Sequence, residues 1–163
     1  MVQKILFVLV CLGWSCSFAQ DSYCAFCDRE VLERQTFYED DLVLALYTHK
    51  PVLPAHFLIM PKRHVEHFDS LSDEEILQIG RVTKKVNEAS IKAFGTSSYF
   101  LLQKNGKESG QSVPHVHFHY IAKKEGDYSV FKILFKLYTD PLFSPIKSDA
   151  MQVVVEKMKD AMD

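Results

Sequence analysis

The residues in this sequence that are best suited to chemistry are three histidines in one short run. His115, His117 and His119 alternate with apolar or aromatic residues between positions 114 and 121. Successive side chains of a β-strand point to opposite faces, and the β-branched and aromatic residues of this run favour a strand over a helix. The pattern therefore predicts a strand with three imidazoles on one face and an apolar stripe on the other.

Two kinds of chemistry suit three imidazoles on one face. Neutral imidazoles can supply three ligands to a metal ion that keeps a fourth position open. Alternatively, the central imidazole can attack an electrophilic phosphorus or carbonyl centre while its neighbours fix its tautomer and bind the developing charge. The histidine run by itself leaves both alternatives open.

The segment before the histidines favours the second kind of chemistry. Residues 105–113 form a polar stretch that contains Gly106, Gly110 and Ser112. Glycines allow positive φ angles and let backbone N–H groups approach an anion closely, and the serine adds a hydroxyl donor. A donor-rich loop that leads into a histidine strand is more typical of a phosphate site than of a bare metal site.

Two blocks of the chain resemble a known family. Residues 111–119 resemble the His-x-His-x-His signature of the histidine triad (HIT) superfamily, and residues 51–64, with their Pro-Lys-x-His element, resemble its upstream strand. The resemblance runs from about residue 23 to about residue 128. It implies an α+β fold, in which one long helix packs across an antiparallel sheet of about five strands, and a homodimer.

The resemblance also implies a reaction and a set of roles. The protein would cleave a nucleoside phosphoanhydride or phosphoramidate through a nucleotidyl-histidine intermediate and release a nucleoside monophosphate. His117 would be the nucleophile, His119 would bind a non-bridging phosphate oxygen and His56 would contact the same site or the triad. Ser112 would donate toward the leaving group and Gln111 would shape the same wall. This chemistry requires no metal or other cofactor.

Some positions depart from the family pattern. Relatives have Asn or Gln eleven residues before the first triad histidine, where this chain has Lys104 followed by Asn105, and either residue could contact phosphate. Thr48 aligns with the Asp or Asn that contacts ribose in relatives. The third triad residue is His119, where the nucleotidyltransferase branch has Gln, and this difference favours hydrolysis over transfer.

Within the hydrolases, the resemblance favours the dinucleoside polyphosphate branch. Residues 51–56 and 126–128 are similar to that branch, and the sequence has no Trp-Pro-Pro-Gly run of the phosphoramidase type. Two alternatives from other classes stay open. One is a protein that binds a metal ion through the triad, and the other is a protein that binds nucleotides without turnover.

A Cys-x-x-Cys pair, Cys24 and Cys27, precedes the HIT-like blocks. Such a pair is typical of half a zinc site, of a redox dithiol or of a tight disulfide. The resemblance implies a structural zinc site that His64 and His115 complete. An exported protein meets oxidants, however, and the compartment therefore favours a disulfide.

The N-terminal segment predicts export. Lys4 precedes an apolar core at residues 5–14, and small residues precede a potential cleavage point after Ala19, as in secretory signal peptides. The predicted organisation is a signal peptide at 1–19, a HIT-like domain at 20–128 and a helical extension at 129–163. Membrane contact is expected only if the signal stays uncleaved. The net charge of −2 and the pI of 6.4 argue against general nucleic-acid binding.

Periodicity and turn residues predict the remaining elements. The strands are expected at residues 36–39, 42–47, 56–60 and 99–103, in addition to the histidine strand. A capping box at Ser72 opens a long helix that ends near Phe94 before Gly95. Residues 130–138 and 148–162 are predicted helices. The last helix packs either across the domain or in a dimer interface, and its pattern fits both alternatives.

Overall fold

Five antiparallel strands form the sheet that positions the histidine run. The computed structural model describes residues 23–139, 142 and 144–163. The strand order is β1-β2-β3-β5-β4, so the last strand of the chain lies between the third and the fourth. The strand bounds are Thr36–Glu39 (β1), Val43–Tyr47 (β2), His56–Pro61 (β3), Tyr99–Gln103 (β4) and Phe118–Ala122 (β5). The predicted α+β fold with a five-stranded antiparallel sheet is confirmed.

The strand that contains the histidine run begins later in the structure than the sequence predicts. The strand β5 begins at Phe118, so His115 and His117 lie in the extended segment before it and only His119 lies within it. The reason is a change of backbone partner, because the N–H of Val116 donates to the carbonyl of Val65, in the loop after β3, at 2.6 Å. The alternation nevertheless holds, because Val116 is completely buried in the main core.

The described residues also form four α-helices. Their bounds are Arg29–Gln35 (α1), Asp73–Phe94 (α2), Val130–Tyr138 (α3) and Ser148–Met162 (α4). The predicted capping box of α2 is present, since Ser72 and Glu75 each accept a hydrogen bond from the backbone N–H of the other. Gly95 ends α2 at a φ of 75°, a conformation that glycine adopts without steric cost. The apolar face of α2 packs on the sheet, as predicted.

The short helix α1 is absent from the sequence predictions. Its N-terminus is capped by Asp28, whose carboxylate accepts hydrogen bonds from the backbone N–H groups of Glu30 and Val31. An aspartate followed by helix-forming residues is a start signal, but seven residues are too few for a clear apolar period. The helix begins at Arg29, two residues after the second cysteine of the Cys-x-x-Cys pair.

The two C-terminal helices pack on the same sheet. Met151, Val155 and Met158 of α4 belong to the main core, together with residues of α2 and the central strands. Ile133 and Leu137 of α3 pack in a smaller cluster beside β5. Of the two alternatives for the last helix, packing across the domain is therefore the one that the structure shows.

None of the described helices combines the length and apolar character needed to cross a bilayer. The predicted signal peptide at 1–19 lies outside the described residues.

The burial of α4 gives a prediction about stability. Met158 is completely buried whereas Val153, on the same helix, is 68% exposed. We expect Met158→Ala to lower the free energy of unfolding by about 2–5 kcal/mol, because it leaves a cavity in the main core. Val153→Ala is the matched control and should change it by less than about 0.5 kcal/mol. Urea denaturation measures both, and equal stabilities of the two variants would show that α4 is not part of the core.

Candidate active site

A cavity of about 270 Å³ opens beside the third histidine of the run. Its walls are the segment after β2, the start of β3, Lys104 with the loop at residues 105–113 (the glycine loop), β5 and the end of α3. Six residues that the sequence singled out line this cavity: Thr48, His56, Lys104, Gln111, Ser112 and His119. The structure thus brings together residues that lie far apart in the chain. His117 is not among the lining residues, and its ring lies beside that of His119.

A chain of hydrogen bonds fixes the protonation of two of the histidines. The backbone N–H of Val52 donates to Nδ1 of His56 at 3.2 Å, so the proton of a neutral His56 is on Nε2. His56 Nε2 lies 2.9 Å from Nδ1 of His119 and donates to it. The proton of His119 is therefore on Nε2. Within the described part of the chain, this buried Nε2 has no hydrogen-bond partner. A buried donor without a partner is costly, and a ligand oxygen would satisfy it.

The central histidine has the opposite arrangement. Nδ1 of His117 lies 2.7 Å from the carbonyl oxygen of His115, so Nδ1 carries the proton and donates it to that oxygen. Nε2 of His117 is left with a free lone pair, as a nucleophile requires. The His117 ring is buried edge-on against Phe26, and its centroid is 5.0 Å from that of His119. A nucleophilic ring and a donor ring therefore lie next to each other.

Burial keeps these histidines neutral. Burial, followed by charges that include the nearby Lys104 ammonium, lowers the pKa of His56 to about 3 and that of His117 to about 4. Burial, followed by the neighbouring His56, lowers the pKa of His119 well below its usual value. All three imidazoles are therefore uncharged near neutral pH, and the tautomers fixed by the hydrogen bonds are the ones present.

The glycine loop places its side chains unequally. The Gln111 amide accepts from the N–H of Gly106 at 2.6 Å and donates to the carbonyl of Glu66 at 3.0 Å, so it braces the loop as well as lining the cavity. The carbonyl oxygen of the Asn105 side chain accepts from the N–H of Phe68 at 2.8 Å, and Asn105 is not among the cavity residues. Of the two residues at this position, it is Lys104 that lines the cavity.

Four metal-binding side chains meet on the other side of the histidine run. The ligand atoms of Cys24, Cys27, His64 and His115 all lie within 4.8 Å of one another. Nε2 of His115 is 2.9 Å from the carbonyl oxygen of Pro61 and donates to it, which leaves the Nδ1 lone pair facing the cysteines. This set of donors is the one that structural zinc sites use, and the second hydrogen bond of the histidine is typical of a metal ligand.

The electrostatics of this cluster also fit a cation. Burial, followed by the neighbouring Cys24 thiol, raises the pKa of Cys27 to about 11. The described residues around the Cys27 thiol therefore favour its protonated form, and a divalent cation would supply the missing positive charge. The predicted ligand set is thus brought together, and its residues fit zinc.

The two sites are joined by one residue. The His115 ring belongs to the cysteine cluster, whereas its backbone carbonyl accepts the Nδ1 proton of His117. His115, a predicted metal ligand, therefore contacts the predicted nucleophile His117 through its backbone carbonyl.

Several residues of the site escaped sequence reasoning. Val52 acts through its backbone N–H, which no side-chain motif reveals. Phe26 contacts the rings of both His115 and His117, and its position inside the Cys-x-x-Cys pair was the only available signal. Lys50, Leu137 and Tyr138 complete the cavity wall. Tyr138 ends a helix that the motifs do not cover.

Comparison with known proteins places the chain in a family. The HIT domain model matches residues 29–126. An uncharacterised HIT-like protein of Methanocaldococcus jannaschii is 33% identical over 138 residues, which cover 83% of this chain and 98% of that protein. A bis(5'-nucleosyl)-tetraphosphatase (asymmetrical) of Schizosaccharomyces pombe is 36% identical over 95 residues, 58% of this chain and 52% of that enzyme. An adenosine 5'-monophosphoramidase of the same organism is 39% identical over 92 residues, 56% of this chain and 66% of that enzyme.

The fold agrees with these matches. The crystal structure of a hypothetical histidine triad nucleotide-binding protein from Sulfolobus tokodaii superposes with a TM-score of 0.68 and 25% identity, covering 85% of this chain and 91% of that one. This chain spans only about half to two thirds of the two named enzymes. From the matched domain, the shared fold and the histidines described above, it follows that this chain belongs to the HIT domain family.

Proposed function

We propose that this protein hydrolyses a nucleoside phosphoanhydride or phosphoramidate and releases a nucleoside monophosphate. The observation that carries the proposal is the pair of neighbouring rings with opposite roles. His117 has a free acceptor nitrogen, and His119 has a buried donor nitrogen without a partner among the described residues. Both tautomers are fixed through hydrogen bonds that end on the backbone. Such a pair is organised in advance to attack a phosphorus atom and to bind one of its oxygens.

In the first step, Nε2 of His117 attacks the phosphorus atom attached to the nucleoside. A P–N bond forms while the P–O or P–N bond to the leaving group breaks. The Nδ1–H of His117 keeps its hydrogen bond to the carbonyl of His115, which stabilises the positive charge that the ring gains. His119 Nε2–H donates to a non-bridging oxygen, and the Lys104 ammonium offsets negative charge. The Ser112 hydroxyl donates to the departing group, which leaves with its electron pair and takes up a proton.

In the second step, water attacks the same phosphorus atom. The bond between phosphorus and His117 breaks, the nucleoside monophosphate leaves and His117 regains its lone pair. The proton of the water is released to solvent. No redox partner or cofactor takes part, so atoms and charges balance over the two steps.

The dinucleoside polyphosphate branch is the favoured one. The cavity wall holds Lys104, which replaces the uncharged amide of relatives, and also Lys50. Two lysines suit a leaving group that carries several phosphate charges better than a small uncharged one. The tetraphosphatase relative supports this branch, and the phosphoramidase relative supports the other, so both substrates belong in one assay.

The cysteine–histidine cluster would hold one zinc ion with a structural role. Cys24, Cys27, His64 and His115 would supply all four donors, as in structural rather than catalytic zinc sites. When bound, the ion would tie the segment before α1 to the histidine run. The catalytic steps above use none of the four ligand side chains.

Two further parts of the proposal concern assembly and location. The strand β4 is a sheet edge on which Tyr99 and Leu101 are exposed, and pairing of this edge with a second copy would cover both side chains. A homodimer with a continuous sheet is therefore proposed.

Export to the periplasm or the exterior is also proposed, and it rests on the signal-like residues 1–19 alone.

The first prediction tests the nucleophile. Wild-type full chain should release AMP from a diadenosine polyphosphate or from adenosine phosphoramidate, and His117→Ala should lower the rate at least about 10³-fold because no other group can form the intermediate. His67→Ala removes an exposed histidine outside the cavity and is the matched control. Chromatographic detection of AMP gives the rates. Nucleotide binding without turnover in the wild type would instead support a binding protein.

The second prediction concerns pH. His56 has a folded-state pKa of about 3, below its ordinary value of 6.5, so the unfolded chain binds a proton that the folded chain does not. The stability that its neutral form contributes is complete above about pH 6.5 and is lost as the pH falls toward 3. Below about pH 6.5, the free energy of unfolding should fall less steeply with decreasing pH in His56→Asn than in the wild type. The two slopes should differ by up to about 1.4 kcal/mol per pH unit. Urea titrations between about pH 4.5 and 7.5 measure the slope, and identical slopes would refute the assignment.

The third prediction separates the two possible metal sites. Purified wild type should contain about one zinc ion per chain by elemental analysis, and Cys24→Ser should lose most of it together with thermal stability. His117→Ala should keep the zinc, because His117 is not a ligand in this arrangement. Loss of zinc from His117→Ala alone would support metal binding by the triad. A Cys24–Cys27 disulfide found by mass spectrometry in metal-free protein would contradict the zinc site.

A further inference from the structure

The end of α3 forms part of the cavity wall. Leu137 and Tyr138, the last two residues of this helix, line the same cavity as His56 and His119. Both lie outside residues 29–126, the part of the chain that matches the HIT domain. The wall of the cavity is therefore completed by a segment that the family match does not describe.

Tyr138 is 65% exposed, but one side of its ring lies against two residues of the site. Its centroid lies 5.5 Å from the Nζ atom of Lys104, a distance at which an ammonium is attracted to an aromatic face. A Cβ atom added to Gly110 would be 3.3 Å from the same ring, so the ring lies directly on this glycine of the donor-rich loop. Gly110 has a φ of 82°, which independently favours glycine. The ring is thus in contact with both the cation and the loop.

Lys104 is the residue on which this contact acts. Only 9% of Lys104 is exposed, which is unusual for a lysine, and its charge lowers the pKa of His56, His117 and His119. Lys104 also lines the same cavity as His56 and His119, so the ammonium lies near the proposed reacting groups. A lysine side chain has four rotatable bonds, and an aromatic face beside the ammonium restricts its conformations.

We propose that Tyr138 is a positioning residue that holds the Lys104 ammonium in the cavity, and that the pair selects substrates with polyanionic leaving groups. The inference rests on the proposed hydrolase function. In the reaction, Lys104 would contact phosphate oxygens on the leaving side, and Tyr138 would act only through Lys104. The C-terminal segment would thereby contribute to specificity as well as to the fold.

The test compares two leaving groups in the full-length protein. Tyr138→Ala should lower kcat/KM for a diadenosine polyphosphate by about threefold to thirtyfold, as expected for loss of one cation–π contact. It should lower kcat/KM for adenosine phosphoramidate, whose leaving group carries no phosphate, by a clearly smaller factor, so the ratio of the two kcat/KM values is the readout. Tyr138→Phe keeps the aromatic face and should restore the wild-type ratio. Phe131→Ala removes a ring that is 79% exposed on the same helix and controls for helix stability.

A double-mutant cycle makes the mechanism falsifiable. Lys104→Gln should lower kcat/KM for both substrates, because Lys104 also offsets charge on the reacting phosphate, but it should lower kcat/KM more for the diadenosine polyphosphate. Adding Tyr138→Ala to it should cause no further loss, because Tyr138 acts through Lys104. Additive losses, equal losses for both substrates or a Tyr138→Phe variant as poor as Tyr138→Ala would each overturn the inference. If the wild type turns over substrate and Tyr138→Ala does so at the same rates, the inference is wrong but the proposed function stands. A wild type without turnover, by contrast, overturns the proposed function and the inference with it.

Discussion

The hydrogen bond from Nδ1–H of His117 to the carbonyl oxygen of His115 is the contact on which the site depends. It decides which nitrogen of the central ring has a lone pair, and it ties that ring to the residue whose own side chain completes the cysteine cluster. Because the acceptor is a backbone atom, the orientation of His117 follows the path of the main chain before β5. Any change that moves His115 would therefore also move the His117 ring, which is the proposed nucleophile.

Burial and backbone partners together determine the state of the other rings. Removing imidazoles from water disfavours their charged form, while Val52 N–H and the carbonyl of Pro61 determine which nitrogen of His56 and of His115 carries the proton. The polar atoms of a buried histidine normally find partners. Among the described histidines, His119 Nε2 is a nitrogen that is fully shielded from solvent and yet has no partner, and it marks where a substrate oxygen would bind.

The sequence predicted much of this arrangement, because strands and helices leave periodic signals. The four upstream strands, the capped helix at Asp73–Phe94 and both C-terminal helices lie where alternation and capping residues indicated. The extent of β5 was wrong, since hydrogen bonding to Val65 depends on tertiary structure. The choice between Lys104 and Asn105 also stayed open, because a one-residue difference in a loop depends on how the loop folds. The backbone donor of Val52 leaves no trace in side-chain chemistry.

The position of β5 between β3 and β4 has a consequence for the order in which the site can form. His56 and His119 are 63 residues apart in the chain, yet their rings are hydrogen-bonded because β5 pairs with β3. Closing so long a loop costs conformational entropy that only the finished sheet repays. A growing polypeptide that has completed β1 to β4 thus contains His56 without the ring it orients. The hydrogen bond between His56 and His119 therefore depends on the whole sheet. It can form only after β5 has been inserted between β3 and β4.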